Sequence, residues 1–225
     1  IGKRAFGSDW KVVSGFGAAV SNALQAAGVI PVVKHFPGHG DTVVDSHMGL
    51  PVVDKSLEDL SLQELPPFRD LISGGETPSG RAEAVPAVMV AHILMTQLDP
   101  DLPASLSPAV VTDLLRGELG FGGVVFTDDL TMGAITQNYG LGEAAVLAVE
   151  AGCDMLLVCH GRDSVDAARS ALLEAAASGR ISQARLDESV RRILSLKLEY
   201  SVSGEPVSAP DLNALNALVD AVAAQ

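Results

Sequence analysis

The segment at residues 34–51 gathers side chains that can transfer protons, bind metals or donate hydrogen bonds. It reads KHFPGHGDTVVDSHMGLP and contains three of the five histidines in the chain, spaced among three glycines and two prolines. Its ionisable residues are Lys34, His35, His39, Asp41, Asp45 and His47. So many reactive groups in a turn-rich segment predict a functional loop.

The triplet DSH within this segment pairs a carboxylate with an imidazole. Asp45 lies two residues before His47, close enough to accept a hydrogen bond from one ring nitrogen and fix the tautomer. Because the unperturbed pKa of histidine is about 6.5, His47 could then give and take a proton near neutral pH. The alternative is a loop histidine held by ordinary polar contacts.

A second reactive group is predicted at VVFTDDLTM, where Asp128 and Asp129 follow an apolar run. A carboxylate at the end of a buried strand is partly desolvated and still open to a ligand. The alternative is that one of the two caps the next helix. That alternative suits Asp129 and leaves Asp128 as the reactive group.

Lys34 and His35 also stand at the end of a predicted strand. Their donor groups suit sugar hydroxyls or an acyl carbonyl, and the alternative is a charge pair within the polar layers of the fold. Pro37, Gly38 and Gly40 allow the backbone to turn sharply, either to hold a ligand or simply to connect two elements.

A metal site is the other chemical interpretation of this segment. His39, Asp41 and His47 are possible zinc ligands, but the cysteines are distant in sequence and no second closely spaced histidine pair exists. We therefore predict no metal and no cofactor. Cys153 and Cys159 flank the apolar run between them and are predicted to be buried reduced thiols rather than a disulfide.

The apolar pattern alternates short β-branched runs with helical periodicity. Strands are predicted at residues 29–36, 87–93, 123–129 and 154–160. Helices are predicted at residues 10–27, 56–73, 107–119, 142–151, 164–178, 184–200 and 210–224. Ser56 and Asp59 are capping candidates, and residues 73–84 read as a polar connector.

Apolar strands that are each followed by a helix imply a parallel sheet covered by helices. All four strands end in polar residues, as in a (β/α)8 barrel, which collects its chemistry at the C-terminal mouth. An open doubly wound sheet also binds ligands at strand ends and remains the alternative. No GxGxxG or Walker-type loop is present, which disfavours nucleotide binding. His92 and His160, at analogous strand ends, are expected to be structural.

The composition limits the classes of partner that the chain is expected to bind. The 225 residues suffice for one sizeable core, and 15 Lys+Arg against 28 Asp+Glu give a net charge of −13, which disfavours a nucleic-acid partner. No apolar run approaches the ~18 residues of a membrane span. The chain opens with Ile1 and shows no targeting segment, so the compartment stays open between cytoplasm and cell envelope.

Four stretches together resemble the family 3 glycoside hydrolases of the β-N-acetylhexosaminidase type: KHFPGHGDTVVDSH, AHI, ELGFGGVVFTDDLTMGAI and AGCDMLLVC. The similarity runs in order from IGKRAFGSD to about residue 200. The resemblance implies a (β/α)8 barrel and an enzyme that removes terminal β-linked N-acetylglucosamine, in bacteria notably from peptidoglycan fragments. The expected partner is therefore a small carbohydrate.

The resemblance also implies roles for individual residues. Asp128 is the expected nucleophile and His47 the acid/base, with Asp45 as its partner. Arg4, Lys34 and His35 are similar to residues that bind the sugar.

One departure from the family pattern concerns the barrel itself, which in the family has about four more N-terminal strands. We expect residues 1–200 to be the C-terminal part of a catalytic barrel, with about four of its eight strands, and residues 201–225 to be a helical extension. A metal-dependent hydrolase and a catalytically inactive barrel fragment remain the alternatives.

Overall fold

A four-stranded parallel sheet organises the chain, which the computed structural model describes over residues 5–42, 46, 49–77, 80–205 and 209–224. The strands are, in chain order, β1 Val32–Phe36, β2 Val52–Val53, β3 Glu76–Thr77, β4 Gly80–Arg81, β5 Ala87–Val90, β6 Leu94–Met95, β7 Val124–Asp129 and β8 Met155–Leu157.

Helices connect and cover these strands. They are α1 Trp10–Ala26, α2 Leu57–Gln63, α3 Leu65–Ser73, α4 Gly133–Thr136, α5 Leu141–Ala151, α6 Arg162–Ala177, α7 Gln183–Glu199 and α8 Leu212–Ala223. A 3₁₀ turn at Ala104–Leu106 and a helix of π type at Ala109–Glu118 lie between β6 and β7.

The order of the main sheet is β1-β5-β7-β8, and each neighbouring pair is parallel. The four strands are those that the sequence predicts, although each is shorter than expected. Their order in space follows their order in the chain. Since an open doubly wound sheet reverses its strand order where ligands bind, the described sheet lacks the feature that the open-sheet alternative requires.

Burial differs between the central and outer strands. β5 and β7 are mostly buried, whereas β1 and β8 are only partly buried. The expectation that all four strands are covered on both faces is therefore wrong for β1 and β8, because each has one neighbour in the described sheet. Among the largest fully buried side chains are Phe36, Leu60, Ile93, Met95, Leu106, Leu115 and Ile135.

The predicted helix at 56–73 is two helices. Ser56 caps α2 as expected, since its hydroxyl accepts from the Asp59 amide and the Asp59 carboxylate accepts from the Ser56 amide. The chain then turns at Glu64, and α3 begins with prolines at residues 66 and 67. Proline lacks an amide hydrogen and is tolerated only in the first turn of a helix, which explains the division.

Two small pairs of strands were not predicted. Residues 73–84, expected to be only a connector, contain the antiparallel pair β3 and β4. β2 pairs with β6 in parallel, so that the stretch after the KHFPGHG segment is tied to the chain that follows β5.

The two cysteines are both free, but they lie in different environments. Cys153 is buried, and burial raises the pKa of its thiol to about 12. Cys159 is exposed, so the prediction of two buried thiols is wrong for this residue, because β8 ends at Leu157 before reaching it.

All the residues of α8 are exposed, including the apolar side chains of Leu212, Leu218 and Val222. Among the described helices, none is long and apolar enough to cross a membrane.

Candidate active site

Polar side chains lie in the last residues of β1 and β7 and shortly after β5 and β8, at the edge where these parallel strands end. They are Lys34 and His35, His92, Asp128 and Asp129, and His160. The carboxyl ends of parallel strands are where α/β folds place their ligands. The structure therefore collects at one edge most of the described residues that the sequence singles out.

Asp128 and His35 face each other between the ends of β7 and β1. The Asp128 Oδ2 atom lies 3.7 Å from the His35 Nε2 atom, and their side chains are 17% and 9% exposed. The other oxygen, Oδ1, accepts a hydrogen bond of 2.8 Å from the Asp129 amide. The carboxylate is thus held on one side and remains partly accessible on the other.

Asp129 has a different role from Asp128. Its carboxylate accepts from the amide and hydroxyl of Thr131, at 3.0 and 2.6 Å, and from the Cys159 amide at 3.0 Å. Burial alone would raise the pKa of Asp129, but these hydrogen bonds and the nearby His160 outweigh it and hold the pKa below its usual value. Asp129 fixes a turn and the end of β8, and α4 begins only after Met132, so the helix-capping alternative is wrong for it.

His92 is fully buried beneath this edge. Its Nδ1 atom lies 2.7 Å from the Ser105 hydroxyl and its Nε2 atom 3.0 Å from the Asp129 carbonyl oxygen. Burial lowers the pKa of His92. His160 differs, because its side chain is 82% exposed at 3.7 Å from the Asp129 carboxylate.

His39 connects His35 to the DSH triplet. The two imidazole rings meet edge to face with centroids 5.6 Å apart. The His39 Nδ1 atom lies 2.8 Å from the Thr42 hydroxyl, and its Nε2 atom lies 3.2 Å from the hydroxyl of Ser46.

Ser46, the middle residue of DSH, is buried and accepts a hydrogen bond of 3.0 Å from the Ala134 amide through its carbonyl oxygen. Ser46 is therefore attached to α4 through Ala134, six residues after Asp128. Ser46 was not predicted to be a site residue, although it stands inside the motif between the two predicted catalytic residues.

Arg4, Asp45 and His47 lie outside the described residues. Their roles as sugar ligand, histidine partner and acid/base stay predictions.

A cleft of about 910 Å³ opens beside β1, between α1 and α3. Lys34, which is exposed, and His35 and His39 line it together with apolar side chains of the helices. Asp128 is not among the lining residues. His35 links the cleft to Asp128, because it lines the cleft and also stands 3.7 Å from the Asp128 carboxylate.

The turn after β1 requires glycine at residue 38. Gly38 has a φ of 142°, and a Cβ atom added there would lie 2.7 Å from the Cβ and Cγ atoms of Glu64. The Lys55 ammonium holds Glu64 at 2.6 Å and also pairs with Asp41 at 2.8 Å. These hydrogen bonds raise the pKa of Lys55, and they fix the KHFPGHG turn against the start of α3.

Two of the possible zinc ligands are occupied by other partners. Asp41 pairs with Lys55, and His39 contacts Thr42 and Ser46. Among the residues that the structure describes, which exclude His47, no group of three or more His, Cys, Asp or Glu side chains is arranged to hold a metal ion.

The fold and site together define an α/β protein with a partly buried aspartate and histidine at the carboxyl edge of a parallel sheet. Residues 1–196 match the family described as "Glycosyl hydrolase family 3 N terminal domain", and the chain belongs to this family. The matched domain is TIM-barrel-like, in agreement with the parallel α/β architecture described above.

Several known proteins are similar to this chain. A protein from Stenotrophomonas maltophilia named Beta-hexosaminidase is 41% identical over 160 residues, which are 71% of this chain and 45% of that protein. The solved structure of a family 3 beta-N-acetylglucosaminidase from a Paenibacillus species is 48% identical with a TM-score of 0.85, covering 92% of this chain and 38% of that one.

A third similar protein is CbsA from Thermotoga neapolitana, solved in a zinc-bound form. It is 36% identical with a TM-score of 0.78, and the match covers 85% of this chain and 40% of that one. The chain spans about half the length of the curated relatives it matches.

Proposed function

We propose that this chain carries the reactive part of a retaining glycoside hydrolase that removes terminal β-linked N-acetylglucosamine from peptidoglycan-derived or related N-acetylhexosaminides. The observation that carries the proposal is the position of Asp128 in a family 3 chain. Its carboxylate stands at the carboxyl end of β7 with one oxygen held by the Asp129 amide and the other 3.7 Å from His35. The names of the Stenotrophomonas and Paenibacillus proteins support the substrate class.

The proposed reaction has two steps. Asp128 attacks the anomeric carbon and forms a covalent glycosyl-enzyme while His47, oriented by Asp45, protonates the leaving oxygen. His47 then removes a proton from water, which hydrolyses the intermediate with net retention. A histidine suits this role, because its neutral form does not repel the aspartate as a second carboxylate would.

Binding of the sugar is assigned to Arg4, Lys34 and His35. The positions of Lys34 and His35 support this, since both line the cleft beside β1 and His35 also approaches Asp128. Cationic and imidazole donors at this place can hydrogen-bond hydroxyl groups of a small carbohydrate while its anomeric carbon faces the carboxylate.

We also infer that the four parallel strands form a contiguous part of a (β/α)8 barrel. The strand order without reversal supports this, and so do the outer strands β1 and β8, each of which pairs with one neighbour in the described sheet. The inference includes residues 1–200 as part of the catalytic barrel and residues 201–225 as a helical extension. The family match to residue 196 and the exposure of α8 are consistent with that division.

The stereochemistry of the product tests the proposed function. We expect the full-length gene product to hydrolyse an aryl β-N-acetylglucosaminide, and proton NMR of the first product to show the β anomer before mutarotation. The α anomer as first product would replace the two-step scheme by direct attack of water. Absence of hydrolysis by the folded full-length protein would contradict the proposed function.

A chelator distinguishes the metal-dependent alternative from the proposed mechanism. The engagement of Asp41 by Lys55 and of His39 by two hydroxyl groups disfavours these residues as zinc ligands. We expect incubation with EDTA to leave the rate unchanged. A rate that is lost with EDTA and restored by stoichiometric zinc would support the metal-dependent hydrolase instead.

The leaving group tests the role of His47. In His47→Ala, we expect hydrolysis of substrates with a poor leaving group to fall about a hundredfold or more, because general acid catalysis contributes about 10² to 10⁴. Formation of the glycosyl-enzyme from a nitrophenyl substrate should fall much less, since that leaving group needs little protonation. Equal losses for good and poor leaving groups, measured by pre-steady-state kinetics, would show that His47 is not the acid.

A further inference from the structure

His92 is a buried titratable residue that the proposed reaction does not use. It follows β5, is fully buried, and reaches across to the end of β7, where Asp128 and Asp129 are located. Both of its ring nitrogens have partners, Ser105 on one side and the Asp129 carbonyl on the other. The question is whether this contact serves packing alone or the nucleophile.

The hydrogen bonds determine the tautomer of the ring. A carbonyl oxygen can only accept, so the Nε2 atom that lies 3.0 Å from the Asp129 oxygen carries a proton. Burial favours the neutral imidazole, whose Nδ1 atom is then an acceptor, and the Ser105 hydroxyl at 2.7 Å donates to it. The Asp129 carbonyl thus selects the tautomer with the proton on Nε2, and the Ser105 hydroxyl holds the other side of the ring.

Ser105 is itself fixed in place. It lies in the 3₁₀ turn Ala104–Leu106, and its amide donates to the Ala91 carbonyl at 3.2 Å. The neighbouring Ala104 amide donates to the Ile93 carbonyl at 2.7 Å. The residues on both sides of His92 therefore hold the turn that orients its ring.

Residue 129 transmits this orientation to the nucleophile. Its carbonyl accepts from His92, while its amide donates to the Asp128 Oδ1 atom at 2.8 Å. The backbone of Asp129 is consequently held by His92 on one side and itself holds the Asp128 carboxylate on the other. Rotation of this residue would turn the amide that keeps Asp128 Oδ2 on the side of His35.

We propose that His92, with Ser105, is a positioning residue for the nucleophile Asp128, acting through the backbone of Asp129. This inference rests on the proposed function. His92 does not touch the reacting atoms, so it should affect the rate of attack by Asp128 and leave sugar binding nearly unchanged.

Two substitutions of His92 separate positioning from packing. His92→Leu keeps an apolar side chain and removes the donor, whereas His92→Gln places an amide N–H where Nε2–H stood. In the full-length gene product, we expect His92→Leu to lower kcat roughly 10- to 100-fold with KM within about twofold, since misplacement by about 1 Å costs this much. His92→Gln should recover to within about threefold of the wild-type protein.

The dependence of the rate on the leaving group distinguishes loss of nucleophile positioning from loss of the acid. Loss of nucleophile positioning should slow nitrophenyl and alkyl glycosides by the same factor, whereas loss of the acid acts mainly on the alkyl glycosides. Leu115→Val, a buried change in the helix Ala109–Glu118, is the control for stability and should lower the melting temperature without changing kcat.

Ser105→Ala is a second variant that tests the same proposal if His92→Leu does not fold. It should lower kcat about threefold to tenfold, and ¹⁵N NMR of the imidazole should show a shifted Nδ1 resonance, because the hydroxyl donor to Nδ1 is lost while the Asp129 carbonyl keeps the proton on Nε2. Wild-type kcat in His92→Leu, or a glutamine variant that folds but is no better than leucine, would overturn the positioning role. An inactive wild-type protein would overturn the proposed function, and the positioning role with it.

Discussion

Replacing Asp128 with asparagine is expected to reduce hydrolysis of an aryl β-N-acetylglucosaminide by roughly 10⁴-fold or more, as for other residues that act directly in a covalent step. Asparagine keeps the shape of the side chain and an oxygen that accepts from the Asp129 amide. It lacks the carboxylate that forms the bond to the sugar. The loss should appear in kcat for every leaving group, measured on the full-length gene product.

The asparagine variant should remain folded, because Asp128 is partly exposed and its neighbours are unchanged. Its melting temperature should lie close to that of the wild-type protein. Asp113→Asn removes the same charge from an exposed position on the helix Ala109–Glu118 and is the matched control with wild-type activity. An unchanged rate in Asp128→Asn would remove Asp128 from the mechanism.

Azide gives a second and more specific result. In Asp128→Ala, a small anion can enter the space left by the carboxylate and attack the anomeric carbon from the same face. We expect azide to restore turnover of a nitrophenyl substrate and the product to be the α-glycosyl azide. A β-glycosyl azide would mean that Asp128 does not stand on the face opposite the leaving group.

The sequence predicts the main sheet well because its signals are local. The runs predicted as strands at residues 29–36, 87–93, 123–129 and 154–160 each contain a strand of the main sheet, and their polar residues meet at one edge. Parallel strands make this meeting unavoidable, since all their carboxyl ends point the same way. The prediction of a parallel sheet thus places His35 and Asp128 at the same edge, but their approach to 3.7 Å across β5 depends on the folded chain.

The sequence predicts local structure less well where one stretch carries two conflicting signals. Residues 56–73 have helical periodicity throughout, but the prolines at residues 66 and 67 divide the helix and turn the chain at Glu64. Aspartate is a residue type that often caps helices. Asp129 instead accepts hydrogen bonds from Thr131 and Cys159, because the turn after β7 brings their amides to its carboxylate.

Distant partners could not be predicted at all. His92 depends on Ser105 and on the carbonyl of residue 129, 13 and 37 positions away, and no local pattern marks either one. The same limit applies to Asp154, which looks like an ordinary residue in AGCDMLLVC. Its partners are 29 to 38 positions away and become evident only in the folded chain.

Asp154 lies before β8, at the edge of the sheet opposite the candidate site, and its side chain is fully buried. Its Oδ2 atom accepts from Arg116 at 2.7 Å and from the Val125 amide at 3.0 Å. Its Oδ1 atom accepts from the Ser189 hydroxyl at 2.7 Å and from Arg192 at 3.2 Å. One carboxylate therefore joins the helix Ala109–Glu118, β7 and α7.

Three arginines share the Asp154 carboxylate, and Glu188 lies 3.8 Å from two of them. The side chains of Arg116, Arg185 and Arg192 are 12%, 17% and 22% exposed, and all come within 3.5 Å of the Asp154 carboxylate. Burial lowers the pKa of Arg116, while attraction to Asp154 opposes that change. The positive charges repel one another, and Asp154 is the fully buried carboxylate that offsets this repulsion for all three.

Replacing Asp154 with alanine is expected to lower the free energy of unfolding by about 3–5 kcal/mol, because it removes the carboxylate that pairs with the buried Arg116 guanidinium and leaves Arg185 and Arg192 only the more distant, half-exposed Glu188. For a chain of this length, that corresponds to a fall of roughly 6–20 °C in melting temperature, measured by urea and thermal unfolding. Asp113→Ala removes an exposed carboxylate from the same helix as Arg116 and should change stability by no more than about 0.5 kcal/mol. A loss below about 1 kcal/mol in Asp154→Ala would show that water, rather than Asp154, compensates the arginines, and that α7 is held to the sheet by its apolar contacts.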